Sequence, residues 1–404
     1  MRPREHKLEA PHRRLEPGSR IGRQGSRIVE RGVVLAYRAV AWVVAHVPPE
    51  IPRFLIARGA EASYLLWPRK RRWRDLNYAH VLGLPPNHRR VRWTAFRAYG
   101  EYARYVVEMM RLPHLPPEAA AGLLPGIDVD VILPIWKGAK GGGLIITTGH
   151  IGNPEAVAAA AAGRGWPANA LADDSSFPEL FELFRKTRER WGVRIIPWRN
   201  LREIYAVLRR REILGLVVDW GYRPDGIPVR LFGSWTTLPA GPATLAAKTG
   251  SRILPIAIRR RPDGRTFHAE KFEAIDVPST APADLLVATQ RIADALAAAI
   301  AAAPDQWYSF KPLWPSTREE AAILERRAAE MAKLTRPAPV AATEAATAAT
   351  LVGTEEALAG AETATAAVSA GQAPPPDDPA EDEPEATPSD RSEAHDPTPS
   401  VGRR

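Results

Sequence analysis

The sequence predicts an α/β protein in which a mostly parallel central sheet is covered by helices and preceded by amphipathic N-terminal helices. Two observations lead to this fold class. From residue 141 onward, short apolar runs alternate with longer amphipathic segments, as in a chain of β-α-β units. The apolar runs are continuous rather than alternating, which is typical of parallel strands buried on both faces.

The region before this alternation is predicted to be helical. Residues 33–66 read as one or two helices broken by "PPEIP", and residues 91–112 form a further amphipathic helix. The first helices are apolar around much of their circumference, so they either pack on the core or lie in a membrane interface. The segment "WPRKRRWR" at residues 67–74 lies between these two helical regions. Its Trp, Lys and Arg residues are typical of an interfacial membrane anchor, but they could equally contact nucleic-acid phosphates or form a solvated helix start.

The alternating region predicts five buried strands in a fixed order with helices. The strands are residues 143–148, 168–173, 193–198, 213–219 and 252–260, with a later strand within 267–275. The helices are residues 154–163, 177–192, 201–212, 241–250 and 284–304. The segment between the fourth strand and residue 241 is predicted to be a loop.

Composition divides the chain into three parts: a basic disordered segment (1–28), one folded domain (29–335) and a disordered Ala/Pro/acidic tail (336–404). The whole chain has a net charge of +9, yet the last 68 residues carry 13 acidic and 3 basic residues, so the rest is strongly basic. This charge favours an anionic partner: nucleic acid, lipid headgroups or a phosphorylated substrate.

The composition also excludes some chemistry. Cysteine is absent, which rules out disulfides, cysteine metal sites and cysteine nucleophiles. No secretory signal is recognised, and no uninterrupted apolar run reaches the length of a conventional membrane-spanning helix. The histidines show no metal-ligand spacing, so no metal is expected.

The stretch "LIITTGHIGNPEAVAAA", residues 144–160, carries the candidate chemistry. Asn153 is a suitable N-cap, Pro154 a first helical residue and Glu155 a first-turn acid, so His150 lies in the loop after a buried strand. Ligands of open α/β sheets bind at this edge. Glu155 is predicted to hydrogen-bond the imidazole, which makes His150 a general base. Alternatively, both residues simply satisfy caps in the loop.

"TTGHIGNPE" resembles the His-x4-Asp/Glu motif of the glycerolipid-type acyltransferases. It is most similar to the branch of the lipid A biosynthesis (lauroyl/myristoyl) and phosphatidylinositol mannoside acyltransferases, although Pro154 stands where that branch usually has Trp. Residues 216–260 are similar to the second block of that family, and "PDQWYSFKPLWP" to its closing P-x-x-W segment. The resemblance spans residues 35–320.

The resemblance implies a glycerolipid acyltransferase-like fold and an O-acyltransferase. It transfers a fatty acyl chain from an acyl thioester, acyl-CoA or acyl carrier protein, to a hydroxyl of a glycolipid or lysophospholipid-like acceptor. No cofactor and no covalent acyl-enzyme are implied. The N-terminal helices then associate with an anionic membrane surface, on the cytoplasmic face of the plasma or inner membrane.

The family's positions imply roles for individual residues. His150 and Glu155 are the catalytic pair, and the substrate-binding positions are Arg199, Asp219, Gly233, Gly241 and Pro242. Each binding position also has a structural explanation. Asp219 caps a turn after its strand, Arg199 is one of many nearby arginines, and "LPAGPATLAAKTG" is a tight turn followed by a helix. Arg199 or backbone N–H groups are candidate oxyanion donors.

Two other functions remain open. One is a non-catalytic lipid-binding or membrane-scaffold protein that retains the fold, suggested by Pro154. The other is a nucleic-acid-binding protein, supported only by the basic charge; no recognised nucleic-acid module is present, so no nucleic-acid partner is expected. "KGAKGGG" at 137–143 lacks the spacing of a phosphate loop and reads as a linker. The aromatic residues of "QWYSF" are predicted to pack in the core or, alternatively, to line an acyl channel.

Overall fold

The computed structural model describes residues 20–66, 68–125, 129–139, 141–172, 178–309 and 311–335, all within one compact unit. The predicted acidic tail and residues 1–19 lie outside the described residues. The first helix begins at Arg20, so helix extends into a segment that was predicted to be disordered.

Twelve α-helices are present in the described parts of the chain. The first four are α1 (Arg20–His46), α2 (Glu50–Leu66), α3 (Pro68–Leu82) and α4 (Arg89–Arg111), as the sequence predicted for this region. The others are α5 (Pro117–Gly122), α6 (Val129–Lys137), α7 (Pro154–Gly163), α8 (Pro178–Glu189), α9 (Leu201–Arg209), α10 (Gly241–Thr249), α11 (Pro282–Ala302) and α12 (Arg318–Lys333).

The central sheet has six strands and confirms the predicted fold class. They are β1 (Leu144–Thr148), β2 (Ala168–Ala172), β3 (Val193–Pro197), β4 (Ile213–Val217), β7 (Arg252–Arg260) and β8 (Phe267–Lys271), in the spatial order β3-β2-β4-β1-β7-β8. The first five run parallel, and β8 pairs antiparallel with β7. Because β1 and β4 are neighbours in register, with Thr148 opposite Val217, the loops that follow them meet at one edge.

A two-stranded hairpin occupies the segment that was predicted to be a loop. It consists of β5 (Ile227–Leu231) and β6 (Ser234–Leu238), which pair antiparallel. The turn residues Phe232 and Gly233 have φ of 50° and 74°, the left-handed geometry that two-residue hairpin turns require. The prediction was wrong because β5 and β6 are short and lack the continuous apolar runs from which the buried strands were predicted.

Helix α11 packs against β7 of the central sheet and against β5 of the hairpin. By length and composition it is the one described helix that could cross a membrane, but 44% of its most apolar 18-residue stretch is buried inside the protein. Its inner face, including Ile292, Leu296 and Ile300, joins the main hydrophobic core, so it serves as a core helix. That core fixes the carboxyl ends of β1 and β4, where the candidate site lies.

Candidate active site

His150 lies two residues beyond the end of β1, in a loop whose shape depends on glycine. Gly152 has φ +59°, and a Cβ there would come 2.0 Å from the carbonyl oxygen of Ile258. A Cβ on Gly149 would come 2.7 Å from Leu296 Cδ1 and 3.0 Å from Asp219 Oδ2. The flanking glycines therefore let the loop fold tightly against α11 and β7.

The helix start after His150 is built as the sequence predicted. Asn153 is the N-cap of α7, and its side-chain oxygen accepts a hydrogen bond from Ala156 N at 3.0 Å. Pro154 occupies the first turn, where its missing N–H costs no helical hydrogen bond. Pro154, which replaces the usual Trp, therefore fits the backbone of this helix start.

The imidazole of His150 is held by Asp219, which follows the neighbouring strand β4. His150 Nδ1 lies 2.7 Å from Asp219 Oδ1, and the backbone N of His150 donates to Oδ2 at 2.9 Å. Since a carboxylate only accepts hydrogen bonds, Nδ1 carries a proton, and in the neutral imidazole Nε2 therefore keeps its lone pair. Asp219 is fully buried, whereas about a quarter of the His150 side chain (26%) is exposed. This arrangement is that of a general base with its orienting acid.

Trp307 completes the support of Asp219. Its indole N–H donates to Asp219 Oδ2 at 2.8 Å, and Tyr308 N donates to the carbonyl of His150 at 2.8 Å. Trp307 is fully buried, so the predicted packing role is confirmed, but the hydrogen bond was not foreseen. Only its place in the P-x-x-W segment hinted at a role in the site.

Electrostatics keep Asp219 ionised. Burial alone raises a carboxyl pKa, but the contacts with the His150 imidazole and the N–H donors outweigh it, so the pKa of Asp219 lies below its usual value. Burial likewise disfavours the imidazolium of His150. The nearby carboxylates of Asp219 and, less strongly, Glu155 outweigh that effect and raise the pKa of His150.

Glu155 does not make the predicted hydrogen bond to His150. Its carboxylate is instead bound by Arg188 of α8, with Nε 2.9 Å from Oε2 and Nη2 2.5 Å from Oε1. The first turn of α7 directs Glu155 toward α8 rather than toward the imidazole, and a mostly buried guanidinium needs this counter-charge. Arg188 was not singled out from the sequence, because nothing distinguishes it among the basic residues of α8.

The remaining predicted binding residues lie on other elements and make no hydrogen bond with the His150–Asp219 pair among the described residues. Arg199 is exposed and follows the edge strand β3. Strand β3 lies three strand spacings from β1, which is about 14 Å across the sheet. That position does not support an oxyanion role for it. Gly233 lies in the β5–β6 turn, and Gly241 and Pro242 open α10. Their substrate-binding roles stay predictions.

A small apolar crevice adjoins the loop that carries His150. It lies between the end of β1, the middle of β7 and the inner face of α11, and Gly149, Ile256, Leu296 and Ala299 are among its lining residues. Its internal space is about that of one water molecule, so it holds no hydrocarbon chain in this conformation.

A buried ionic cluster lies behind the loop. Glu108 of α4 binds the Arg260 guanidinium and accepts from Asn153 Nδ2 at 3.0 Å, while Glu101 lies 3.2 Å from Arg260 Nε. Arg53 of α2 lies 3.5 Å from Glu108. The cluster thus connects the N-terminal helices to the cap of α7.

Comparison with known proteins identifies the family to which the chain belongs. Residues 22–316 match the family described as bacterial lipid A biosynthesis acyltransferase. The chain is 29% identical over 245 residues to a phosphatidylinositol mannoside acyltransferase of Mycolicibacterium smegmatis, covering 59% of this chain and 77% of the relative. It is 28% identical over 250 residues to the protein of that name from Mycobacterium tuberculosis, covering 59% and 75%. Because the family match covers most of the sequence, the chain belongs to the family of bacterial lipid A biosynthesis acyltransferases.

Proposed function

We propose that this acyltransferase moves a fatty acyl chain from an acyl thioester, acyl-CoA or acyl carrier protein, to a hydroxyl of a glycolipid at a membrane surface. The observation that carries the proposal is the contact between His150 Nδ1 and the buried carboxylate of Asp219. The mycobacterial relatives favour a phosphatidylinositol mannoside as the acceptor.

The proposed reaction uses the free Nε2 of His150. Nε2 takes the proton of the acceptor hydroxyl, and the oxygen attacks the thioester carbonyl to form a tetrahedral intermediate. The C–S bond then breaks, and the imidazolium returns the proton to the leaving thiolate. Asp219 stabilises the imidazolium between these steps. No covalent acyl-enzyme is required.

Lipid analysis of cells tests this proposal. Mass spectrometry of membranes from cells with and without the protein is expected to show one glycolipid that lacks a single acyl chain when the protein is absent. Restoring the wild-type gene should restore that chain, and restoring His150→Ala should not. Identical glycolipid profiles in all strains would contradict the proposal.

The pH dependence follows from the raised pKa of His150. A general base must be neutral, so kcat/KM is expected to rise as the pH increases through this raised pKa. Asp219→Asn removes the carboxylate that favours the imidazolium, so the midpoint of its residual activity should move to lower pH. A pH–rate profile of both proteins measures the shift, and an unchanged midpoint would contradict the electrostatic role of Asp219.

The exposed apolar side chains of α1 and α2 support membrane association. On α1 these are Val33, Leu35, Val40, Trp42 and Val43; on α2 they are Ile51, Phe54, Leu55, Leu65 and Leu66. The opposite face of α2, including Ala57 and Tyr64, is buried against the body. The arginines Arg38, Arg58 and Arg72 are also exposed nearby in sequence, which suits anionic headgroups. Peripheral attachment on the cytoplasmic face is part of the proposal.

Vesicle binding tests this attachment. Replacing Trp42, Phe54 and Leu55 together by Ser should weaken binding to anionic phosphatidylglycerol vesicles by at least about tenfold, because three exposed apolar side chains no longer enter the interface. The double variant Val287→Ser/Ile323→Ser, at exposed positions of α11 and α12, is the control and should bind as the wild type does. Equal binding by the triple variant would rule out this surface.

A further inference from the structure

Trp220 is exposed although it directly follows the buried Asp219. Its relative exposure is 56%, and its ring centroid lies 5.6 Å from that of His150, with 38° between the ring planes. The position is neither in the core nor on the N-terminal helices. The protein therefore presents an aromatic surface to solvent directly beside its base.

The indole is held in place by a neighbouring segment. Lys311 Nζ lies 4.3 Å from the Trp220 ring centroid, a cation–π contact. The backbone of Lys311 is fixed because its carbonyl accepts from the buried Asn77 Nδ2 at 2.8 Å and from Ser309 Oγ at 3.0 Å. Gly221 has φ +133°, and a Cβ there would come 2.9 Å from Lys311 Cβ, so this close approach needs glycine.

The chemistry of an indole beside a base indicates the kind of ligand it meets. A pyranose ring has one face lined by C–H bonds, which carry slight positive charge and pack well on the negative face of an aromatic ring. The same sugar carries hydroxyl groups on its rim, within reach of a base next to that ring. The glycerol backbone of a phospholipid offers no such flat apolar face.

We propose that Trp220 is a specificity-determining residue that stacks on the pyranose ring of the acceptor and brings one of its hydroxyls to His150. This assignment rests on the proposed glycolipid acyltransferase function and adds to it the chemical group that is recognised. Lys311 orients the indole, and the absence of a side chain on Gly221 allows Lys311 to approach the indole closely. The acyl donor makes no use of the stacking surface.

Steady-state kinetics test the assignment through the two substrates separately. With a mannosylated phosphatidylinositol and an acyl-CoA, Trp220→Leu should raise the KM for the glycolipid by about tenfold or more and leave the KM for acyl-CoA within about twofold. Trp220→Phe keeps an aromatic face, so its KM for the glycolipid should lie between those of the wild type and Trp220→Leu. The matched control is Trp198→Leu, another exposed tryptophan with an arginine over its ring, which should behave as the wild type. An unchanged glycolipid KM in Trp220→Leu, or an equal rise for both substrates, would overturn the assignment.

Direct sugar binding separates this proposal from the proposed function. In protein carrying isotope-labelled tryptophan, the indole N–H signal of Trp220 is identified by its loss in Trp220→Phe. Titration with methyl α-mannopyranoside should shift that signal and leave the Trp198 signal in place. A shift in a protein that transfers no acyl chain would leave the sugar site standing and reject the enzyme function. If the sugar did not shift the Trp220 signal, the sugar site would be rejected, whether or not acyl transfer occurs. If Trp220→Leu also lost vesicle binding, Trp220 would be a membrane contact instead.

Discussion

The Asp219→Asn variant is expected to lose about 10³–10⁴-fold in kcat for acyl transfer while it remains folded. The amide still fits the buried space, but it places an N–H or a neutral oxygen where the carboxylate fixes the Nδ1 proton of His150. The imidazole then loses its orientation and the charge that stabilises its protonated form. Turnover of a labelled acyl thioester, with circular dichroism for the fold, measures the effect.

Glu155→Gln is the matched comparison, since Glu155 influences His150 by charge without binding it. We expect its loss of activity to be smaller than that of Asp219→Asn by about tenfold or more. The reverse order, with Glu155→Gln nearly inactive and Asp219→Asn nearly normal, would assign the orienting role to Glu155. It would also show that α7 moves in the complex with substrate.

Arg260→Ala is expected to lower the free energy of unfolding by about 3–5 kcal/mol. The guanidinium is almost fully buried and binds both Glu101 and Glu108, so its removal leaves two buried carboxylates without their most buried partner. The remaining partners are the more exposed Arg104, 2.6 Å from Glu101, and Arg53, 3.5 Å from Glu108. Urea unfolding followed by circular dichroism measures the change.

The neighbouring residue supplies the control. Arg259 pairs with Glu270 at a more exposed position, so Arg259→Ala should cost no more than about 1 kcal/mol. If the two variants were equally stable, the buried cluster would not be what ties α4 to β7. A large loss of stability in Arg259→Ala alone would point to the β7–β8 pairing instead.

The helices and parallel strands were predictable because their signals are local. Each strand of the parallel sheet is a continuous apolar run, and Asn153, Pro154 and Glu155 mark the start of α7 within three residues. The β5–β6 hairpin was missed, although the sequence contains its signal. Two short runs flank Gly233, which readily adopts the left-handed geometry of the turn, although Phe232 beside it is an unusual residue for that geometry.

The position of His150 after a strand was predictable from sequence, and its hydrogen-bond partner was not. His150 follows a strand and lies between glycines, which is a local pattern. Asp219 is 69 positions away, and it meets His150 only because β4 is placed next to β1 in the sheet. Proximity in the sequence favoured Glu155 as the partner of His150, but the Glu155 carboxylate binds Arg188. The contact of Trp307 with Asp219 likewise depends on how a distant segment folds back.

The most direct test of the central claim is acyl transfer by the purified protein. The wild type and His150→Ala are incubated with a labelled acyl-CoA and a mannosylated phosphatidylinositol in anionic vesicles, and the lipids are analysed by mass spectrometry. The wild type should add one acyl chain to the glycolipid, and His150→Ala, although folded, should add none. Equal product from both proteins would contradict the account, because His150 would then not be the base.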